Sequence, residues 1–290
     1  LAFPDPDMLG VDLVIPDFSY IEQNYERVKG IVLTHGHEDH IGGLPFLLSK
    51  VNVPIYGTPL TLGLVGNKLK EHSLYNKTQL NVVNAGDTIK LGCMSVQFIH
   101  VNHSIPDAVA FAIKTPAGTI VHTGDFKIDC TPITGDMIDL SSIAKVGDDG
   151  VLALLAESTN ANRSGYTPTE RMVSDSLDSL FRSAENYRII IATVASNVNR
   201  VQQIINCAEK YGRKVAFSGR SMVNYMDVAS SLGYLNVPEN IIIDIDMLDK
   251  FMPQQVVLVT TGSQGEPMSA LSRMAYSDHR RVMVGEGDFI

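Results

Sequence analysis

The run His35-Gly36-His37-Glu38-Asp39-His40 follows directly on the apolar, β-branched stretch Ile31-Val32-Leu33-Thr34. A strand must therefore deliver three imidazoles and two carboxylates onto one tight turn at its end. Imidazole and carboxylate are ligand types that zinc favours. A compact turn can point alternate side chains at one cation and the remaining pair at a second, about 3.5–4 Å away, the separation used in two-metal hydrolysis. A single His on a strand is more often a core residue, but three within six residues, with Asp39 among them, argue for ligands.

The rest of the chain divides in two by its periodicity. Residues 30–34, 53–56, 80–84, 95–101, 108–114, 119–122 and 151–156 are β-branched or alternating runs bounded by Gly, Pro, Asn and Asp. Helices are expected there only after Gly42-Gly43 and over residues 58–71, giving an α/β arrangement with substantial antiparallel content. After Tyr166 strands and helices alternate. Thr167-Pro168-Thr169-Glu170 reads as a capping box, with Val173, Leu177, Leu180 and Phe181 following at helical spacing. Strand 188–194, helix 199–211 stopped by Gly212, strand 214–217, helix 221–232 stopped by Gly233, and strands 241–245 and 255–260 then succeed one another. That order predicts a Rossmann-like parallel sheet. The loop 160–166 marks the boundary, so domains of 1–162 and 163–290 are expected.

Composition narrows the function classes. With 44% hydrophobic and 19% charged residues over 290 positions, the chain is globular and large enough for two cores. Its apolar stretches are strand-length, well short of the roughly 20 residues that span a bilayer, so no membrane partner is expected. The net charge of −9 excludes a general electrostatic grip on nucleic acid, and any such role must come from a local site. Cys93, Cys130 and Cys207 are an odd count without C-x-x-C spacing, which predicts buried, reduced thiols in a cytoplasmic protein. The start lacks a Met and a signal-like segment, so Leu1 reads as internal and the chain as a fragment.

The pattern H-x-H-x-D-H resembles the signature of the metallo-β-lactamase superfamily. The resemblance implies an αββα core and directs attention downstream. His103, in Asn102-His103-Ser104-Ile105-Pro106-Asp107, is similar to that family's third motif, and Asp125, in Thr123-Gly124-Asp125-Phe126-Lys127, to its fourth, the carboxylate that bridges both metals. It implies a first site of His35, His37, His103 and Asp125. The second site would begin with Asp39, His40 and Asp125. Two Zn2+ ions, or Mn2+, would fill the complete centre. Glu38 is expected outside the ligand set. His72, His100, His122 and His279 read as structural or exposed, His122 being the one placed to support Asp125 from behind.

That signature alone leaves the substrate open. The second domain, opening after Glu157-Ser158-Thr159-Asn160, resembles the β-CASP insertion of nucleic-acid-processing members, with Glu157 at the position of its acidic first motif. Phe3-Pro4-Asp5 through Asp17, the two motifs around His103 and Asp125, Ala195-Ser196-Asn197, Gly219-Arg220-Ser221-Met222 and Thr261 through Pro267 are all similar to the ribonuclease J-like family. The resemblance implies a cytoplasmic, zinc-dependent ribonuclease acting on RNA phosphodiesters endonucleolytically and from 5′ ends, in RNA processing and decay, as a homodimer or homotetramer. It implies catalytic roles for Asp39, His40 and Glu157. It also implies segments beyond this chain: strands before Leu1 and two further histidines after Ile290. Asn199 departs from the His that many relatives carry there.

The residues themselves add one argument. In an open parallel sheet, ligands gather beyond the carboxyl ends of the strands. The loops 195–197, 218–221 and 261–265 fall at such ends and lead into helix N-termini, whose free N–H groups favour phosphate. Ser196, Asn197, Gly219, Arg220 and Ser263 are the candidates for holding RNA, preferably 5′-monophosphorylated RNA. The competing account is that these residues only cap helices. Two other readings of the whole chain stay open: another hydrolase of the superfold, such as a lactonase or thioesterase, and a non-catalytic RNA-binding module.

Overall fold

The structure is a computed structural model that describes residues 4, 7–266 and 268–290. Phe3, Asp5 and Pro267, which contribute to the resemblance, lie outside the described residues. The chain divides into one unit of Leu1–Cys130 with Asp136–Thr167, and a second of Thr131–Gly135 with Pro168–Ile290. At the end of the first unit the turn after Ser158 folds on itself, Ala161 and Arg163 donating to the carbonyls of Ser158 and Asn160. Residues 131–135 join the later chain through Thr131–Thr169 and Thr134–Asn199 hydrogen bonds of 3.0 and 2.6 Å.

In the first unit, β1 (Ile31–Val32), β2 (Ile55–Gly57) and β3 (Leu80–Val82) form a parallel three-stranded sheet. Short helices α1 (Ser19–Gln23), α2 (Glu38–Ile41) and α3 (Leu44–Leu48) punctuate the connections, and α4 (Pro59–Glu71) covers the sheet. Pro59 presets the first helical turn of α4, and Leu60, Leu62, Leu64, Val65 and Leu69, with Thr61 and Gly66, bury most of its circumference. A second sheet has the order β4 (Thr88–Leu91), β5 (Met94–His100), β6 (Val109–Thr115), β7 (Gly118–His122), β8 (Ala153–Leu155), antiparallel except for its last pair.

The two faces of β5 and β6 serve two cores. Val96, Phe98, Val109 and Phe111 pack with Val32 and Tyr56 of the first sheet. Ile99, Val101, Ala110 and Ala112 pack with Val121 and with Val146 of α5 (Leu140–Asp148). The layers are thus helix, sheet, sheet, helix, the αββα core that the resemblance implies. Phe98 and Phe111 meet edge to face at 5.1 Å, and truncating either to Ala should cost about 3–5 kcal/mol.

The hairpin β4–β5 and helix α5 were not expected from the sequence. Leu91 pairs with Met94 across a two-residue turn of Gly92, at φ +62°, and Cys93. That turn puts Cys93 at an exposed tip. Cys130 is exposed as well, which corrects the expectation that the thiols are buried.

The second unit has the all-parallel order β10 (Lys214–Ser218), β11 (Val256–Thr260), β9 (Arg188–Ala192), β12 (Asp288–Phe289). Helices α6 (Arg171–Ser183), α7 (Val198–Lys210), α8 (Arg220–Ser231) and α9 (Ala270–Ala275) alternate with the strands, as the Rossmann-like reading requires. Central β11 is buried along its whole length, which explains its unbroken Val-Val-Leu-Val run. Arg188 and Asp288 link β9 to β12 by two bonds of 2.6 and 2.7 Å.

Two local expectations fail in this unit. No capping box forms at Thr167, because the Glu170 carboxylate accepts from the Arg200 guanidinium at 3.0–3.2 Å and from Gln203 at 3.3 Å; α6 begins only at Arg171. Residues 241–245 make a single bridge, Ile242 with Val215. Ile243 and Ile245 instead pack against the core cluster of Ile190, Ala216 and Leu258. Among the described residues, no helix is long and apolar enough to cross a membrane.

Candidate metal centre

β1 ends at Val32, and Leu33 continues its ladder by donating to Tyr56 O at 2.9 Å before the chain turns at His35. Gly36 has little room around it in that turn, since a Cβ there would stand 2.6 Å from Leu64 Cδ1 and that side chain would have to shift. Thr34 organises the approach of the other ligand-bearing segments. Its carbonyl accepts Val109 N–H at 2.9 Å, at the start of β6 and just after the His103 loop. Gly124, at φ +58°, is pressed so close that a Cβ would meet Thr34 Cβ and Val109 O at 3.0 Å. Asp125 therefore follows a glycine seated on the residue that precedes His35. His122 supports this turn, its Nδ1 accepting the Gly124 N–H at 3.0 Å.

The result is convergence. One group brings ligand atoms of His35, His37, His103 and Asp125 within 4.8 Å of one another, and a second does the same for Asp39, His40 and Asp125. His37 Nδ1 lies 3.0 Å from His35 Nε2 and 3.1 Å from His103 Nε2. Asp125 Oδ2 lies 3.9, 3.8 and 3.4 Å from Nε2 of His35, His103 and His40, and Asp39 Oδ2 is 3.5 Å from His40 Nε2. On the outer side of the rings, Thr34 Oγ1 is 3.1 Å from His35 Nδ1 and Ser104 Oγ 3.5 Å from His37 Nε2.

This donor set fits a divalent cation. A neutral imidazole nitrogen carries one proton or one lone pair, so His37 Nδ1 cannot form two well-aligned hydrogen bonds with the two Nε2 atoms that face it. Two nitrogens held about 2.0–2.1 Å from one tetrahedral ion stand about 3.3 Å apart, close to the separations found. Burial reinforces the match. His35 is pushed down to about 2 by desolvation first and then by its histidine neighbours, and His37 down to about 4 by desolvation and His103. His103 is also lowered, again chiefly by burial. All three are therefore neutral at pH 7, the protonation state that a metal ligand needs.

The remaining predicted residues lie elsewhere. Glu38 pairs with Lys68 at 2.7 Å. Glu157 belongs to neither ligand group among the described residues; its Oε2 accepts Thr159 N–H at 2.6 Å, while its charge acts on His103. His72 stacks edge-on to Phe46, His100 Nε2 faces Asp136 O at 3.0 Å, and His279 Nε2 faces Ser218 Oγ at 3.1 Å.

In the second unit, Ala192, Thr260 and Ser218 align across β9, β11 and β10. Ser196, Asn197, Gly219, Arg220 and Ser263 thus all follow strand ends on one side of that sheet. Ser196 is buried, Asn197 caps α7 by accepting Arg200 N–H at 3.0 Å, and Arg220 and Ser263 are exposed. Sequence reasoning missed Thr34, whose place directly before the H-x-H turn is the one signal that could have found it.

A family model described as "Metallo-beta-lactamase superfamily" matches residues 11–162, and one described as "Ribonuclease J, beta-CASP domain" matches residues 186–290. Among curated relatives, "Ribonuclease J" of Helicobacter pylori is 45% identical over 291 residues, covering all of this chain and 42% of the relative. "Ribonuclease J2" of Bacillus subtilis is 44% identical over 290 residues and "Ribonuclease J" of Mycobacterium tuberculosis 48% over 292, each covering all of this chain and 52% of the relative. The chain thus spans about half the length of the curated relatives it matches. A solved structure from Enterococcus faecalis, described as a protein of unknown function, shares the fold with a TM-score of 0.58 at 21% identity, over 81% of this chain and 59% of that one. With its candidate ligand turn on an αββα core, the chain belongs to the metallo-β-lactamase superfamily, and its residues 186–290 match the β-CASP domain of ribonuclease J.

Proposed function

We propose that this chain is the metal-binding and β-CASP portion of a zinc-dependent ribonuclease that hydrolyses RNA phosphodiesters, both within the strand and from 5′-monophosphorylated ends. The observation that carries the reading is the pair of ligand groups sharing Asp125. The names of the relatives support RNA as the substrate class. Cytoplasmic location and a dimeric or tetrameric assembly belong to the same reading.

His35, His37 and His103 present lone pairs because burial keeps them unprotonated, Asp125 would contribute to both groups, and Asp39 and His40 would hold the second ion. Two divalent cations held there supply Lewis-acid charge to the attacked phosphate and acidify water near neutral pH. Glu157 is assigned to proton handling at the edge of the centre. Ser196, Asn197, Gly219, Arg220 and Ser263 hold RNA phosphates, for which fixed N–H donors at helix starts are suited.

The test is metal analysis of the full-length protein beside RNA cleavage by wild type and His37→Ala. Two zinc or manganese ions per chain and a folded, inactive variant are expected. Unchanged cleavage by His37→Ala would remove the site assignment.

A further inference from the structure

The loop that carries His103 ends on Asp107, whose φ of +54° places it in the left-handed region, a conformation that Asp tolerates better than most residues. From there its carboxylate reaches across to α4. Oδ1 accepts the Thr58 hydroxyl at 2.9 Å, and Oδ2 accepts the Leu60 backbone N–H at 2.8 Å. Thr58 is the N-cap residue of α4, yet its own side chain makes no capping bond; besides Asp107 it meets Thr61 Oγ1 at 2.9 Å. The first turn of α4 is thus capped by a carboxylate 47 residues away in sequence, with the sign of charge that a helix N-terminus favours.

That same turn of α4 forms one wall of the ligand-bearing turn. A Cβ on Gly36 would lie 2.6 Å from Leu64 Cδ1, 3.4 Å from Thr61 Cα and 3.6 Å from Ile105 Cδ1. Gly36, between His35 and His37, is therefore wedged between α4 and the loop of His103. Thr58, Thr61 and Ile105 are all buried, so the joint is close-packed and transmits displacement.

We propose that Asp107 is a positioning residue of the first ligand group: by locking the His103 loop to the start of α4 it sets the separation of His103 Nε2 and His37 Nδ1, 3.1 Å here. Asp107 belongs to neither ligand group. It acts through His103 and through the slot that holds Gly36. This inference rests on the reading of the cluster as a metal centre.

The test uses the full-length protein with three substitutions. Asp107→Gly tolerates the backbone conformation and removes both acceptors, Asp107→Asn keeps one acceptor, and Thr58→Val removes the hydroxyl donor alone. The readouts are the zinc dissociation constant, the ligand-field spectrum of the cobalt-substituted protein, and, without metal, Leu60 amide exchange and the His103 and His37 ring resonances.

Asp107→Gly is expected to weaken zinc binding by about 10-fold, the lower end of what losing a direct partner of a metal ligand costs, since Asp107 acts one step further out. It should also alter the cobalt spectrum, accelerate Leu60 exchange and move both ring resonances, with smaller effects in the other two variants. Wild-type affinity and cobalt spectrum in Asp107→Gly overturn the proposal. Should that variant fail to fold, wild-type values in both Asp107→Asn and Thr58→Val overturn it equally. A wild-type protein that takes up no cation overturns the metal-centre reading instead, and the metal-free resonances then decide the role of Asp107.

Discussion

His40 Nε2 lies 3.4 Å from Asp125 Oδ2, the oxygen that also stands 3.9 and 3.8 Å from Nε2 of His35 and His103. One carboxylate oxygen is therefore placed to serve both candidate ligand groups. Asp125→Ala should lower the ion content of the full-length protein from two per chain to one or none. RNA cleavage should fall by more than the roughly 10–100-fold that outer partners of ligands cost. Measured metal content and single-turnover rates check this together, and two retained ions would show that Asp125 is not shared.

The depressed histidines set a pH dependence for the metal-free protein. An unfolded His takes up a proton near pH 6.5, whereas folded His37 does so only near 4 and His35 near 2. Below about 6.5 the unfolded chain thus binds more protons, and stability falls as pH drops. For buried His35 the slope approaches about 1.4 kcal/mol per pH unit until its folded value is reached. Urea midpoints measured between pH 7.5 and 5 should decline with acidification, and less steeply in His35→Phe, where His37 still contributes. A midpoint independent of pH would contradict the buried, neutral state of these rings.

The aligned ends of β9, β11 and β10 place small polar loops side by side. If they hold a terminal phosphate, 5′-monophosphorylated RNA should be degraded faster than the otherwise identical triphosphate, since a pocket of fixed donors suits the smaller terminus. Arg220→Ala should raise KM for the monophosphate roughly 10-fold, the scale of one charged hydrogen bond. Equal rates on the two RNAs would argue that these residues only cap helices, a role that Asn197 also fills.

The chemistry of this protein was legible in its sequence wherever it depended on local order. The H-x-H-x-D-H turn, the alternation of strands and helices after Tyr166 and the apolar run of β11 rest on spacing, and the order of elements alone implies a parallel sheet. His103 and Asp125 were found by their likeness to family motifs, each directly after a strand.

What tertiary structure decided was the choice of partner for groups that could bond in more than one way. Glu170 looked like the closing member of a capping box, but a carboxylate is better satisfied by the Arg200 guanidinium, which folding alone brings within 3.0 Å. The apolar run 241–245 had strand periodicity, yet its side chains found their burial in packing rather than in a ladder. Asp107 closes the motif of His103, but nothing in the sequence pointed to its partners, because Thr58 and Leu60 precede it by 49 and 47 residues. Spacing reports which residues share a face of one element, and a hydrogen bond across that distance exists only once the chain has folded around it.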